Sequence, residues 1–192
     1  MISVDSDINP GTIYIHDGIS STTTNSFSSP GDFPRGITVD SNGNLISGDV
    51  STDTIYIHDG ISATTTNSFS SPGNQPIGLA IDSNGNLISS DSSADLIYVH
   101  DGISATTTNS FSTPDNSIRG LAIDSNGNLI SSDVGTDPGK IYVHDGISST
   151  TTNSFSSPGS FPNGLTIDSN GDLIVVDFDS NSSNYKFFIV AL

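Results

Sequence analysis

The stretch IYIHDGISSTTTNSFSSP, from Ile13 to Pro30, decides the fold, because the chain repeats it four times with few changes. The copies begin again at Ile55, Ile97 and Ile141, and their histidines are 42, 42 and 44 residues apart. A period of this length with several short strands in each unit indicates a repeat architecture. Identical units give identical environments, whereas a catalytic site needs different residues at non-equivalent positions. The pattern is therefore informative about fold and much less so about chemistry.

The composition excludes several classes of partner. The 192 residues carry 21 Asp and no Glu against four basic residues, which gives a formal net charge of -17. A surface this acidic repels the phosphates of nucleic acids and the headgroups of anionic lipids, so neither is expected as a partner. The basic residues are Arg35, Arg119, Lys140 and Lys186.

The remaining composition predicts an all-β protein. Ser, Thr, Asn, Asp and Gly dominate, while the good helix formers Glu, Lys, Gln and Met are nearly absent. The absence of Cys excludes disulfides and thiolate metal sites but leaves the compartment undetermined. No apolar run is long enough to insert in a membrane, and the N-terminus lacks the features of a signal peptide. An extracellular location, or one at a cell or virion surface, is nevertheless slightly favoured.

One unit, read from Arg35 onward, contains four short strands. RGITVD alternates apolar and polar residues, SNGN forms a turn and LISGD begins a second run, which gives strands a and b. TIYIHD is strand c. The pair Asp59-Gly60 predicts a tight hairpin, after which ISATTTNSFSSP forms strand d.

Four antiparallel strands in about 42 residues are typical of the blade of a β-propeller. The succession GLAIDSNGNLISSD, LIYVHDG and SFSSPG resembles the blades of NHL-repeat and SMP-30-like propellers, in which an apolar strand runs into D-x-x-G-N-L and a strand ending in Asp. The resemblance covers the whole chain and implies one propeller domain, residues 1–192. The chain departs from NHL blades before strand c, where those often have a basic residue and this chain has Thr54 and Leu96, with Lys140 the one basic residue of the three.

The strand count leaves the closure of the propeller open. The first unit lacks strand a and the last lacks strand d, so the chain has four a, five b, five c and four d strands. We predict five blade positions with the first and last incomplete, in segments of about 1–32, 33–74, 75–116, 117–160 and 161–192. The alternatives are four closed blades, or completion of the end blades between chains as a homo-oligomer, since unpaired strand edges recruit partners.

The last unit is more apolar than the others. Val175, Val176 and Phe178 replace polar residues, and the segment YKFFIVAL follows. We expect this segment to be buried at the closure or at a subunit interface, and Tyr185 to continue the tyrosine row of strand c. Asn181-Ser182-Ser183 fits a glycosylation sequon, which is a common pattern.

The tyrosine and histidine of each strand c are candidate ligand-binding residues. Equivalent residues on a ring make equivalent pockets between blades, so we expect a multivalent glycan or protein ligand. A metal shared by the histidines is not expected, because strand c lies on the order of 10 Å outside the inner strand. Packing between blades is the competing explanation for both rows. The residues are Tyr14, His16, Tyr56, His58, Tyr98, His100, Tyr142 and His144.

Two rows of aspartates are candidate cation ligands. Carboxylate oxygens suit Ca²⁺, and the resemblance to SMP-30-like lactonases implies a divalent cation. However, DSNGN lacks the spacing of an EF-hand loop, and an Asp that begins an Asn-Gly turn is explained by hairpin geometry. We therefore expect no cofactor, with Ca²⁺ as the alternative. The rows are Asp40, Asp82, Asp124 and Asp168 at the turns, and Asp49, Asp91, Asp133 and Asp177 at the end of strand b.

These observations favour a non-enzymatic binding or structural module. The first alternative is a cation-dependent hydrolase of the SMP-30 kind, which needs one blade with unique polar residues. The only unusual blade here is unusual in being apolar. The second alternative is a recently amplified or designed propeller with no evolved ligand.

Overall fold

The computed structural model describes residues 1–6, 10–179 and 184–191, and for residues 179, 184 and 185 the backbone alone. Every regular element in these ranges is a β-strand, and they hold no helix able to cross a membrane. The strands are β1 (Ile2–Asp5), β2 (Thr12–His16), β3 (Thr23–Ser28), β4 (Pro34–Val39), β5 (Leu45–Asp49), β6 (Thr54–His58), β7 (Thr65–Ser70), β8 (Pro76–Ile81), β9 (Leu87–Asp91), β10 (Leu96–His100), β11 (Thr107–Ser112), β12 (Ile118–Ile123), β13 (Leu129–Asp133), β14 (Lys140–His144), β15 (Thr151–Ser156), β16 (Phe161–Ile167), β17 (Leu173–Asp179) and β18 (Asn184–Val190).

The strands form five antiparallel sheets, which are the blades of a five-bladed β-propeller. Blade 1 contains β1 to β3, blade 2 contains β4 to β7, blade 3 contains β8 to β11, blade 4 contains β12 to β15 and blade 5 contains β16 to β18. Each sheet is made of consecutive strands. The predicted five positions, with one strand missing from the first blade and one from the last, are confirmed, and the strands fall within the five predicted segments.

Each blade has two faces, because successive side chains of a strand alternate. We call the face toward the preceding blade the rear face and the face toward the following blade the front face. In blade 3 the front face carries Ile88 and Ile97, which pack with Ile118, Leu121 and Leu129 on the rear face of blade 4. Equivalent clusters join blades 2 and 3 and blades 4 and 5. The core is therefore distributed over the interfaces between blades.

The inner strands of neighbouring blades approach closely at a glycine. A Cβ built on Gly78 of β8 would lie 2.3 Å from the carbonyl oxygen of Arg119 in β12. Ser90 Oγ accepts a hydrogen bond from the N–H of Gly78 (2.8 Å) and donates one to the carbonyl of Arg119 (3.2 Å). Ser132 makes the same two bonds between blades 4 and 5. Glycine and serine thus link the inner strands across the blade interface.

The strand register of blade 5 corrects two predictions. Val175 pairs with Phe188, as Ser131 pairs with Tyr142 in blade 4, so Phe188 rather than Tyr185 takes the tyrosine position. Phe187 is 49% exposed and Ile189 is 64% exposed, so these two side chains are not buried at the closure, whereas Phe188 and Val190 pack against the cluster between blades 4 and 5. An unpaired edge leaves Phe187 and Ile189 uncovered. Burial of this segment at a subunit interface stays a prediction. The predicted sequon at residues 181–183 lies outside the described residues.

Candidate functional site

The histidine row is held in a repeated hydrogen-bonded pair with serine. His58 Nδ1 lies 2.7 Å from the carbonyl oxygen of Ser62, which can only accept, so Nδ1 carries the proton. His58 Nε2 therefore accepts from the hydroxyl of Ser47 at 2.9 Å. The pairs Ser89–His100 and Ser131–His144 repeat this arrangement at 2.8 and 2.9 Å.

These imidazoles are sealed between blades. His58, His100 and His144 are 0% exposed, and each faces the strand d phenylalanine of the preceding blade, with ring centroids 5.9 to 6.2 Å apart. Burial lowers the pKa of His58. The hydrogen bond to the Ser62 carbonyl raises this pKa, but it offsets the effect of burial only in part. A serine hydroxyl beside a neutral imidazole has the composition of a nucleophilic pair, but no substrate can reach these buried atoms. The row lies between blades, as predicted, and makes contacts typical of packing.

Blades 1 and 5 vary this arrangement. In blade 1, Ser3 Oγ lies 2.7 Å from Nε2 of His16, which is half-buried on the rear face. In blade 5, Val175 and Val190 occupy the serine and histidine positions. Both members of the pair are replaced together, which indicates that each needs the other.

The loop between strands c and d is longer than the predicted tight hairpin. The N–H of Asp59 donates to the carbonyl of Thr64 at 2.8 Å, so residues 59 to 64 form the loop and strand d begins only at Thr65. Gly60 supplies a φ of 60°. The carbonyl of Ser62 also meets His58, but blade 1 closes the same loop with Asp17 N–H and the Thr22 carbonyl, although His16 Nδ1 has no hydrogen-bond partner among the described residues. The loop therefore forms without this histidine bond.

The tyrosine row also lies on the rear faces, but it is only partly covered. Tyr14, Tyr56 and Tyr98 are half-buried, and Tyr142 is 8% exposed. Tyr142 donates a hydrogen bond to Asp115 Oδ2 at 3.0 Å. Burial, followed by the bond to Asp115 and its charge, raises the pKa of Tyr142 to about 12. Tyr14, Tyr56 and Tyr98 are the less buried part of the predicted inter-blade surface, and ligand binding there stays a prediction.

The aspartates at the a–b turns use their oxygens within the turn. Asp40 Oδ1 accepts from the N–H groups of Asn42 and Asn44 at 2.8 Å each, and Oδ2 accepts from Asn44 Nδ2 at 3.0 Å. Burial alone would raise the pKa of Asp40, but these hydrogen bonds hold that pKa below its ordinary value. Asp82, Asp124 and Asp168 make similar turns.

The second aspartate row fastens the linkers between blades. Asp91 is 1% exposed; its Oδ2 accepts from the N–H of Gln75 at 2.6 Å, and its Oδ1 accepts from Ser93 and Ala94. Burial would raise the pKa of Asp91, but the hydrogen bonds from Gln75 and Ser93 hold it below its ordinary value. Gly73 leaves no room for a side chain, since a Cβ there would lie 2.1 Å from Asp91 Oδ2. Asp49 and Asp133 also bind the N–H of a linker residue, and Asp177 binds the N–H of Phe161 at the start of β16.

A shared metal site is not apparent in residues 1–6, 10–179 and 184–191. No group of three or more His, Asp, Glu or Cys side chains there is placed to hold one ion. The four predicted ligands Asp40, Asp82, Asp124 and Asp168 lie in separate turns of four blades. Calcium binding by a single turn stays a prediction.

Sequence reasoning missed the outer strands as a surface. Strands β3, β7, β11 and β15 share the sequence TTNSFS, and five of the six side chains in each are exposed. They contain no charged residue. The half-buried phenylalanine of each strand turns inward, with Phe27, Phe69 and Phe111 facing the histidine of the next blade. The sequence does contain an indication of this surface. Four identical strands rich in hydroxyl groups, each with one aromatic residue, suggest that only the aromatic side chain is buried and that the other side chains are exposed.

Comparisons with known proteins agree on the fold. Glutaminyl cyclase of Myxococcus xanthus is similar with a TM-score of 0.69 and 12% identity, over 95% of this chain and 84% of that chain. The WD40 β-propeller domain of Doa1 gives a TM-score of 0.66 and 16% identity, over 97% of this chain and 59% of the other. A chain of the mitotic checkpoint complex gives 0.64 and 14%, over 100% of this chain and 59% of the other.

No family model matches the chain, and no curated protein matches it. At identities of 12% to 16%, structural likeness shows the propeller fold alone.

Proposed function

We propose that this protein is a non-enzymatic binding module that presents four equivalent outer strands to a protein partner. The observation that carries the proposal is the fourfold, exposed and uncharged strand TTNSFS on a chain whose net charge is -17. Hydroxyl and amide groups on these strands can bind a partner without the repulsion that the acidic surface exerts on anions.

Multivalency is the physical advantage of this design. Each outer strand offers a small polar surface, which by itself would bind weakly. Four equivalent surfaces on one rigid scaffold raise the overall affinity for a partner with repeated epitopes, because the later contacts become intramolecular.

The similar structures support a protein as the partner. They include a WD40 domain and a chain of a multiprotein complex. A glycan ligand bound through the tyrosine and histidine rows is the less favoured ligand class, since three of the four histidines are fully buried. Kinship with NHL-repeat and SMP-30-like propellers belongs to the same proposal, supported by the GLAIDSNGNLISSD succession. No observation on the described residues specifically favours the cation-dependent hydrolase.

The test is a series of charge substitutions on the outer strands. Lysine would replace one, two or all four of the exposed serines at one equivalent position, and binding would be measured to a partner isolated on the immobilised protein and to a glycan array. We expect the apparent affinity for the protein partner to fall stepwise with each substitution. The serines are Ser26, Ser68, Ser110 and Ser154.

A matched control places the same charges on the exposed serines of the a–b turns, where binding should persist. Complete loss of binding after one outer-strand substitution would contradict the proposal, because it would indicate a single unique site. Binding to the glycan array alone would also contradict a protein partner. The control serines are Ser41, Ser83, Ser125 and Ser169.

A further inference from the structure

The interface between blades 4 and 5 contains a cavity of about 450 Å³. Its apolar wall is formed by Val143 and Phe155 of blade 4 and by Val190 and Ala191 of blade 5, and residues of the a–b turns form its polar wall. Val143 and Phe155 also belong to the apolar cluster that joins the two blades. Among the described residues, the cavity is an open pocket at the edge of the packed interface.

At the two preceding interfaces an isoleucine joins the corresponding apolar cluster. Ile103, like Ile57 and Phe69, packs against the buried cluster between blades 2 and 3. Ile147, like the equivalent Val99 and Phe111, packs against the cluster between blades 3 and 4. Both isoleucines belong to the c–d loop of the later blade. Within the described residues, blade 5 has no such loop and no strand d.

In the part of the chain that the structure describes, no strand pairs with the outer edge of β18, whereas every other strand c is covered by a strand d. In blades 1 to 4, strand c pairs with strand d, and its first isoleucine lies opposite the phenylalanine of strand d. Those isoleucines, Ile13, Ile55, Ile97 and Ile141, are fully buried. Phe187 takes the equivalent position in β18 and is 49% exposed.

The four outer strands are protected against further pairing, whereas β18 is not. In β7 the side-chain oxygen of Asn67 accepts the N–H of Ser68 at 2.9 Å, and the other three outer strands repeat this bond. A backbone N–H that is satisfied by its own strand is less available to an added strand. The stretch KFFIV of β18 contains no asparagine that could do the same.

We infer that blade 5 takes up an extended segment from outside residues 1–192, which adds to β18 as the fourth strand of the blade. The other blades specify the chemistry of this segment: a strand rich in Ser and Thr, with an aliphatic residue for the cavity and an aromatic residue eight positions later, beside Phe187. Ile61 and Phe69, Ile103 and Phe111, and Ile147 and Phe155 all have this spacing. Strand addition supplies backbone hydrogen bonds, and the two apolar side chains supply specificity.

A partner of another sequence is favoured over a second copy of the chain for two reasons. All four segments of this kind in the chain are already paired as β3, β7, β11 and β15, so a second copy would have to give one up. Two chains of net charge -17 also repel one another. This inference uses an edge distinct from the four outer strands and does not depend on them.

The experiment uses a fluorescently labelled synthetic peptide, DGISSTTTNSFSS, which has the sequence of residues 145 to 157. Its binding to the full chain is followed by fluorescence anisotropy. We expect saturable binding at one site, and at least about tenfold weaker binding of a peptide with Asp in place of the Ile and the Phe. Substitution of Phe187→Ser should weaken the wild-type peptide similarly. Phe33→Ser is the matched control, since Phe33 is also exposed (44%) but lies in the linker before blade 2.

A second variant tests the cavity without altering a strand. Ala191→Trp changes an exposed residue of the cavity wall, and we expect it to block the peptide while thermal unfolding is unchanged. Absence of saturable binding, or equal binding of both peptides, would overturn the inference. A concentration-dependent dimer seen by light scattering, abolished by Phe187→Ser, with no binding of the peptide, would assign the edge to a second copy and would overturn it as well.

Discussion

At the scale of single residues, buried aspartates fasten each blade to the linker that precedes it. Asp91 binds its own b–c loop with one oxygen and the N–H of Gln75 in the linker with the other. Each of these groups would be costly to bury alone, and together they are satisfied. The aspartate thus holds the linker from blade 2 against the b–c loop of blade 3.

The buried histidines predict a loss of stability in mild acid. Burial lowers the pKa of His58, His100 and His144 below the ordinary value, so the unfolded state binds protons first as the pH falls. Stability is complete above about pH 6.5 and decreases below it, by at most about 1.4 kcal/mol per pH unit for each histidine. Urea unfolding between pH 7.5 and 5 measures this slope.

The control for this prediction copies the natural replacement in blade 5. The double variant Ser89→Val/His100→Val reproduces the pair Val175 and Val190, so it should keep the fold and remove the contribution of one histidine to the slope. A slope identical to that of the wild type would show that the imidazoles do not control the acid response.

Sequence patterns located these residues but not their contacts. The rows of Tyr, His and Asp followed directly from the period, since a repeat makes equivalent positions visible. A hydrogen bond from each histidine to a nearby Asp, Ser or Thr row was expected, but the particular serine was not identified, because strand pairing brings together residues 11 to 13 positions apart and no local motif records it. The Asp91 row was considered as a source of cation ligands, while its bonds to the linker depend on the fold.

At the scale of elements, the inner strands depend on glycine only where another inner strand follows. A Cβ on Gly78 would lie 2.3 Å from Arg119 O and 2.6 Å from Ser90 Oγ. The equivalent Gly164 of blade 5 has free space, since the nearest atom to its Cβ would be Val176 Cβ at 3.6 Å. The same residue type is therefore required in blade 3 and replaceable in blade 5.

We expect Gly78→Ala to lower the free energy of unfolding by about 1 to 3 kcal/mol, because the added methyl group overpacks the interface between blades 3 and 4. Gly164→Ala is the matched control and should be neutral, or stabilising by up to about 1 kcal/mol. Chemical denaturation of both variants checks the pair. Equal destabilisation would mean that the difference in space does not govern these positions.

The strands themselves were predictable, and their irregular ends were not. Alternation and the turn residues gave all eighteen strands and their assignment to a, b, c and d. The c–d loop was predicted too short, because the pair Asp59-Gly60 does not record that the closing bond runs from the N–H of Asp59 to the carbonyl of Thr64. The register of β18 was predicted three residues out of place at Tyr185, because the pairing of β17 with β18 depends on the fold and not on residue type.

At the scale of the whole molecule, the structure favours stability that is independent of calcium. The carboxylate oxygens of Asp40, Asp82, Asp124 and Asp168 accept hydrogen bonds from their own turns, which a cation would have to displace. We expect neither a chelator nor millimolar Ca²⁺ to shift the midpoint of thermal unfolding. A rise with Ca²⁺ that is lost in the Asp82→Asn variant would establish a cation site in that turn.

The distribution of the core over the blade interfaces has a consequence for biosynthesis. Each sheet is made of consecutive strands, and the apolar front face of one blade is covered by the rear face of the blade that leaves the ribosome next. A nascent chain therefore exposes the front face of only its newest complete blade, and every further 42 or so residues of synthesis cover it. The blade interfaces are therefore buried in the order in which the blades are translated. Each of the four nearly identical segments can in this way pack on the blade that was synthesised just before it.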